Sequence, residues 1–285
     1  MPVCVVTGAT SGIGMATAQA LAQAGWHVLA VGLPHPAPNY PDYSNNTIRF
    51  FPADITNASA VEQLAHEASA TTCELHGLVN CAGISLPAPL ETLSTQVLRQ
   101  HLEVNVIGQL GVIQALLPLL RAGRGRIINV SSVMGEVAMP VMGAYSMSKH
   151  ALEAMTDVLR LELRPQGIVV CGVQMGAVRT PMTSRMAQLV DAHSAGLALE
   201  QAQRYKTLLT AMRRAFIHQE QAAVAPDAVA KVIMTALTVA RPRARYRVGA
   251  AASGLSLMRR MAPEVIADAI LARALGLADL IQRQR

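Results

Sequence analysis

Two short stretches of this sequence hold residue types at spacings that could do chemistry. The first is TGATSGIG, residues 7–14, directly after the apolar run PVCVV. Read as strand, turn and helix, it gives each glycine a distinct role. Gly8 permits the tight turn, Gly12 lets a phosphate approach the backbone, and Gly14 lets helix and strand pack closely. The first helix turn then offers unpaired N–H groups and a positive dipole end to an anion. The second stretch is YSMSK, residues 145–149. On a helix, Tyr145 and Lys149 share one face, a phenol and an ammonium one turn apart. Taken singly, each stretch also has a plain structural reading, as an ordinary α/β turn and as an exposed helix pair.

The surrounding pattern predicts a fold that could bring them together. Strand candidates lie at 3–6, 27–31, 48–51, 77–81, 126–130, 168–173 and 245–248, and helical periodicity at 13–24, 58–70, 94–120, 145–164 and 226–239. In the first helix, Ile13, Ala16, Ala20 and Leu21 recur at three- and four-residue intervals and Gly25 ends the run. Such alternation predicts an α/β fold with a parallel sheet covered by helices on both faces. One interval departs from it. GLPHPAPNYPDYSNN, residues 32–46, has four prolines where a second crossover helix would run, which predicts an extended loop. Ligands of these sheets bind beyond the carboxyl ends of the strands. The polar residues there are 7–14, Asp54, NCAG at 80–83, Ser131 and Ser132, and QMGAVRTPM at 174–182.

Composition limits the alternatives. The 285 residues are 52% apolar and 15% charged, enough for a large core in one domain. Apolar runs fall short of the roughly 18 residues of a membrane span, the best candidate being LGVIQALLPLL with Gln114 and Pro118 inside it. A first strand at Val3 leaves no room for a signal peptide, so a cytoplasmic protein is expected. Cys4, Cys73, Cys81 and Cys171 form no CxxC pair and sit mostly in apolar runs; they read as buried free thiols, and no metal site is expected. The net charge of +6 resides in the tail: residues 1–240 hold 15 Lys/Arg and 15 Asp/Glu, while 241–285 hold nine Arg against Glu264, Asp268 and Asp279. ARPRARYRVG in that tail alternates like a strand with one solvated face. It lacks a nucleic-acid motif and offers one stacking residue, Tyr246, so no nucleic-acid partner is expected.

Seven pieces then stand in one order: TGATSGIG, ADI, NCAG, EVNVIG, GRIINVSS, YSMSK and GAVRTP. With them the sequence resembles the short-chain dehydrogenase/reductase family, over residues 3 to about 182 and more loosely to about 250. The resemblance implies a single-domain, Rossmann-type, doubly wound parallel sheet with helices on both faces, and a nicotinamide cofactor, NAD or NADP. It implies that Tyr145 is the general acid/base that gives a proton to a carbonyl oxygen or takes one from an alcohol. A tyrosine with a pKa near 10 is a poor base at neutral pH, and Lys149 with the oxidised nicotinamide ring would favour its phenolate. Lys149 would also bind the nicotinamide ribose. Ser132, thirteen residues before Tyr145, would hold the substrate oxygen, with Ser131 structural, and Asn105 would hold a water that links Lys149 to solvent.

Cofactor contacts carry over in the same way. Gly8, Thr10, Ser11, Gly12, Ile13 and Gly14 form the pyrophosphate turn; Asp54 and Ile55 meet adenine; Asn80, Ala82 and Gly83 lie near the adenosine ribose. Gly176, Val178 and Thr180 serve the nicotinamide end, Thr180 on its carboxamide. Three departures from the family pattern stand out: Cys81 replaces a second Asn, Met175 replaces a proline, and Gly32 with Leu33 fill the place where an acid or an Arg would choose between NAD and NADP. His35 is the nearby candidate for that choice.

The domain expected is 1–250, with a substrate lid at about 181–225 and a helical extension, 251–285, packed on it. Leu208 to Ile217 have the spacing of a lid helix packed on the body. Met134, Met139 and Met142, between Ser132 and Tyr145, together with Met182, suit a greasy substrate of irregular shape. The activity implied is oxidoreduction between an alcohol and a ketone or aldehyde of a lipophilic molecule: steroid, retinoid, polyketide or fatty-acyl derivative. An epimerase or dehydratase using the same tyrosine, and a non-catalytic cofactor-binding regulator, remain as alternatives. A homodimer or homotetramer is expected through the two long helices, with Ile113, Leu116 and Leu117 as outer positions. A tail helix at 264–277, with Val265, Ile266, Ala269 and Ile270 in a stripe, is expected against protein; contact with an anionic membrane beside Arg259 and Arg260 is the alternative.

Overall fold

β1 (Val3–Thr7) is buried along its whole length, and its side chains divide with period two: Val3 and Val5 enter one core, Cys4 and Val6 the other. A strand covered on both faces needs an unbroken apolar run, which PVCVV supplies. The computed structural model describes residues 1–33, 38, 40 and 47–277. Within these, β2 (His27–Gly32), β3 (Ile48–Pro52), β4 (Gly77–Asn80), β5 (Arg126–Ser132), β6 (Val169–Met175) and β7 (Arg245–Val248) join β1 in a parallel sheet. The order is β3-β2-β1-β4-β5-β6-β7. The order in which strands are added reverses between β1 and β4, which opens the ligand cleft there.

One face is covered by α1 (Gly12–Gln23) and α9 (Pro226–Thr238), through Leu21 and Ile233. The other is covered by α2 (Ala58–Thr71), α4 (Gly108–Ala122) and α5 (Gly143–Leu163), through Leu64, Leu116 and Leu159. Each predicted strand and helix is thus present, with ends shifted by one or two residues at most positions. The proline-rich interval is the exception: most of it, His35 included, lies outside the described residues.

Several expectations need correction. The helix predicted at 94–120 is broken by a π turn, Glu103–Ile107, between α3 (Thr95–Leu102) and α4. Among the described residues one segment, Thr95–Ala122, is long and apolar enough by composition to cross a membrane, with an 18-residue window of mean hydropathy 1.4. The apolar stripe Val112, Ile113, Leu116 and Leu120 faces the sheet, and core packing explains it. For the same reason Ile113 and Leu116 are not outer positions; on α4 and α5 the exposed large apolar side chains are those of Met147, Val158 and Leu161, and Ile107 of the π turn is exposed as well.

Arg245 and Arg247 do not form a solvated face. Arg245 pairs with Glu153 and Asp157 of α5 at 2.7 Å each, and Arg247 pairs with Glu136 at 3.1 Å, both arginines being partly buried; Arg241 and Arg243, before β7, are exposed. Alternation identified the face but not the carboxylates that cover it. Beyond β7 the chain forms α10 (Ala250–Met261) and α11 (Glu264–Ala274). In α11 the packed side is Ala267, Ala272 and, just after it, Leu275, while Val265, Ile266 and Ile270 of the predicted stripe are exposed. Cys4 and Cys171 are buried and Cys81 is half-buried, but Cys73 is exposed, unlike the expectation for all four.

Candidate active site

The amino-terminal turn has the shape its glycines promised. Gly8 has a φ of +66°, and a Cβ there would stand 2.7 Å from the backbone of Ala82. A Cβ on Gly14 would stand 2.2 Å from the Gly8 carbonyl oxygen, so the first turn of α1 lies against β1 as only glycine allows. Ser11 precedes α1 without a side-chain cap, leaving the first-turn N–H groups aimed outward. Thr7, which sequence reasoning did not single out, joins the two turns of the cleft: its hydroxyl accepts from the N–H groups of Cys81 and Ala82 at 3.1 and 3.3 Å. This is a cradle for a pyrophosphate, open where a side chain would fill it.

Near the adenosine end, Asp54 is exposed and its carboxylate accepts from the Thr56 N–H at 2.9 Å, while Ile55 is buried. The Asn80 side chain turns inward instead and donates to Asn129 at 3.0 Å, which in turn donates to Thr156 at 2.9 Å. Any part Asn80 has in holding a cofactor therefore falls to its backbone. Tyr40 was not anticipated: its hydroxyl donates to the Ala9 carbonyl at 2.6 Å, pinning the far side of the glycine turn.

Leu33 is exposed, and a Cβ at Gly32 would stand 2.6 Å from the Thr10 methyl, so Thr10 leans over the position that would read the ribose. Neither Ser11, Gly32 nor Leu33 brings a charge. The expected cofactor preference is therefore modest, within about 100-fold in kcat/KM, or under about 3 kcal/mol. Steady-state kinetics with both cofactors checks this, and a preference far above about a thousandfold would show that another residue, His35 foremost, reads the ribose.

The helix spacing of YSMSK delivers its pair. The Lys149 ammonium is 5.7 Å from the centre of the Tyr145 ring and donates to the Val130 carbonyl at 3.0 Å. Ser132, the last residue of β5, lines the same cavity as Tyr145; its hydroxyl donates to the Met175 carbonyl at 3.4 Å and accepts from the Met134 N–H at 3.2 Å. Asn105 is fully buried in the π turn. It accepts from the Ile84 N–H at 2.8 Å and donates to the Ile84 carbonyl at 3.0 Å and to Ser148 at 2.9 Å. The insertion of one residue in the helix is what turns this amide inward, where it fixes the chain after β4 against α5.

Burial governs both titrating groups. It pushes Tyr145 up to about 12, against the lowering effect of the neighbouring Ser132 hydroxyl, and pushes Lys149 down to about 8. For Lys149 the sign is clear: between about 8 and its ordinary 10.5 the unfolded chain holds more protons than the folded one. Its contribution to stability therefore rises with pH across that window and is flat below it. Urea unfolding of wild type and Lys149→Met at about pH 7.5 and 9.5 should show wild type gaining on the variant at the higher pH; a constant difference would refute this.

Tyr145, Ser132 and Lys149 line a cavity of about 480 Å³. Of the residues read from sequence, Ile13, Gly83, Gly176, Val178 and Thr180 line its cofactor end, and Met134, Met142 and Met182 its outer part. Gly8, Thr10, Ser11, Gly12, Gly14, Leu33, Asp54, Ile55, Asn80, Ala82 and Asn105 do not line it. Thr180 uses its hydroxyl to cap α6 (Pro181–Ser184), accepting from Thr183 N–H at 3.3 Å. With α7 (Met186–Ala195) and α8 (Leu199–Gln221), α6 contributes Met182, Met186 and Phe216 to the cavity wall. Leu209, Met212 and Phe216 bury themselves against Met139 and Met142, so α8 packs on the same methionines that line the cavity. Sequence reasoning missed Ser85, Gln219 and Leu255, and read Ser131 as purely structural although it lines the cavity. The Ser85 and Ser131 hydroxyls are buried without a protein partner.

The family model for short chain dehydrogenases matches residues 2–190. The chain belongs to that family. It is 44% identical over 186 residues, 62% of each chain, to the 3-amino-tetrahydro-pyrrolizinone reductase of Xenorhabdus hominickii. It is 33% identical to retinol dehydrogenase 5 of Mus musculus, over 93% of this chain and 86% of that one. A short chain dehydrogenase from Burkholderia cenocepacia, crystallised with NADP, superposes with a TM-score of 0.73 at 26% identity, covering 96% of this chain and 97% of its own. The protein is an NAD(P)-dependent oxidoreductase. Its glycine cradle and the uncapped start of α1 fit the pyrophosphate of that cofactor, which supplies or receives the hydride when bound.

Proposed function

We propose that the protein interconverts an alcohol and a ketone or aldehyde on a lipophilic small molecule of the steroid, retinoid, polyketide or fatty-acyl kind. The observation that carries this reading is the composition of the cavity. Tyr145 and Ser132 place two hydroxyls at one wall, while Met134, Met139, Met142, Met182, Met186 and Phe216 make up much of the rest. Methionine side chains adapt to irregular apolar shapes. In reduction, Ser132 orients the carbonyl oxygen and Tyr145 donates the proton; in oxidation, the phenol oxygen receives it. Lys149 and the Asn105-braced chain beside it support the return of that proton. The name of one relative, retinol dehydrogenase 5, agrees with a lipophilic substrate.

A screen of ring ketones, aldehydes and long-chain alcohols, followed by nicotinamide absorbance with NAD(H) and NADP(H), tests the proposal. Turnover should concentrate on bulky apolar compounds. Turnover confined to small polar alcohols or sugars would overturn it.

A further inference from the structure

Between Ser132 and Tyr145 one charged side chain faces away from both. Glu136 follows the 3-10 turn Val133–Gly135 that leaves Ser132. This turn rests directly on α5: a Cβ at Gly135 would stand 2.9 Å from the Lys149 carbonyl oxygen and 2.7 Å from Glu153 Cγ. Any shift of the turn is therefore felt by the helix that carries Tyr145 and Lys149.

The Glu136 carboxylate gathers groups from three other segments. It accepts from Gln174 Nε2 of β6 at 3.0 Å, from Arg247 Nη2 of β7 at 3.1 Å, and from the Ser256 hydroxyl of α10. Gln174 and Arg247 are register partners on neighbouring strands, so the sheet presents two donors side by side to one carboxylate. Burial works to raise the Glu136 pKa, but the hydrogen bonds from Ser256, Gln174 and Arg247 outweigh it and hold the carboxyl at about 2. The carboxylate is thus ionised and engaged at any working pH.

What the carboxylate grips is a wall of the cavity. Leu255, next to Ser256, lines the cavity and packs against Val133 and Val137 on either side of Glu136. Farther along, Ala272, Leu275 and Leu277 bury against the cluster of Met139, Met142 and Met186. The tail is therefore continuous with the substrate side of the site.

We infer that Glu136 is a positioning residue that locks α10 to the turn after Ser132 and so sets the outer wall, and the size selectivity, of the substrate cavity. The inference rests on the proposed reading of this cavity as the site of a bulky lipophilic ketone or alcohol. A substrate long enough to reach Leu255 senses the lock; a small one held at Tyr145 does not.

Two measurements on the full-length protein test it. Hydrogen exchange, which needs no substrate, should show the amides of residues 250–261 exchanging faster in Glu136→Ala than in wild type, with Glu136→Gln between them. Kinetics with cyclohexanone and with a steroid ketone as probes should show the ratio of kcat/KM, steroid over cyclohexanone, falling at least about tenfold in Glu136→Ala and in Leu255→Trp, chiefly through the KM of the steroid ketone. Unaltered exchange in α10 would overturn the lock. Faster exchange with an unchanged ratio, or equal losses in kcat for both ketones, would overturn its role in selectivity. If wild type reduces neither ketone, the ratio is taken between the smallest and the bulkiest carbonyl compounds that the screen identifies, and the exchange experiment still decides the lock.

Discussion

Tyr145→Phe is expected to lower turnover at least about 100-fold while NAD(P)H binds as in wild type. The substitution removes one oxygen and keeps the ring, which sits in the apolar cluster with Met139, Met142 and Phe216. Folding therefore has little reason to suffer. The phenol, pushed up to about 12 by burial, is protonated at neutral pH and is suited to donate to a carbonyl. Without it Ser132 is left as the remaining hydroxyl beside the substrate oxygen, able to orient that oxygen but too weak an acid to protonate it efficiently. Ser132→Ala should therefore be the milder variant in kcat. Near-normal turnover by Tyr145→Phe, measured with saturating cofactor on whichever ketone the screen identifies, would refute the assignment.

How much of this was legible beforehand depends on where each contact lies along the chain. Helix geometry put Tyr145 and Lys149 on one face, and a strand end brought Ser131 and Ser132 to the cleft, while their roles and the choice of Ser132 came from the family resemblance. The parallel order of strands followed from alternation, since a parallel sheet needs its crossovers. Illegible features are those made by distant partners. Ser256 meets Glu136 across 120 positions, and nothing in the pattern of either neighbourhood announces the other. Periodicity showed that α4 has an apolar stripe; whether Ile113 and Leu116 face the sheet or a second subunit is decided by how the helix is rotated on the sheet, which a single stripe does not encode. Likewise the alternation of Arg245 and Arg247 marks a shared face, while the acids that cover it come from α5 and from the turn after Ser132. Asn105 was found through its motif, yet its inward direction depends on the π turn, a one-residue excess that no propensity reveals.

Gly14→Ala tests the cofactor cradle with equal sharpness. Its new Cβ would lie 2.2 Å from the Gly8 carbonyl oxygen and 2.7 Å from the Gly8 carbonyl carbon, both backbone atoms that cannot rotate away. Either the start of α1 moves off β1 or the turn itself opens, and both displace the N–H groups that face the pyrophosphate. A misplacement near 1 Å in a positioned site costs on the order of 100-fold, so the Kd for NADPH or NADH should rise by about 10- to 100-fold, or roughly 1.4 to 2.7 kcal/mol. Linkage gives a second readout. Cofactor at about 100 times the wild-type Kd stabilises wild type by about 2.7 kcal/mol, whereas at a Kd 100-fold weaker the same concentration gives only about 0.4 kcal/mol. The ligand-induced rise in Tm should therefore nearly vanish. Gly25→Ala separates binding from folding: Gly25 has a φ of +80° with nothing within 4 Å of a Cβ, so alanine there meets backbone strain alone. That strain should cost about 1 to 2 kcal/mol of stability without ligand and leave cofactor affinity as it was. If Gly14→Ala behaves like Gly25→Ala, destabilised but with its cofactor Kd intact, then the close packing of α1 on β1 does not position the anion site, and the cradle must be read from other residues.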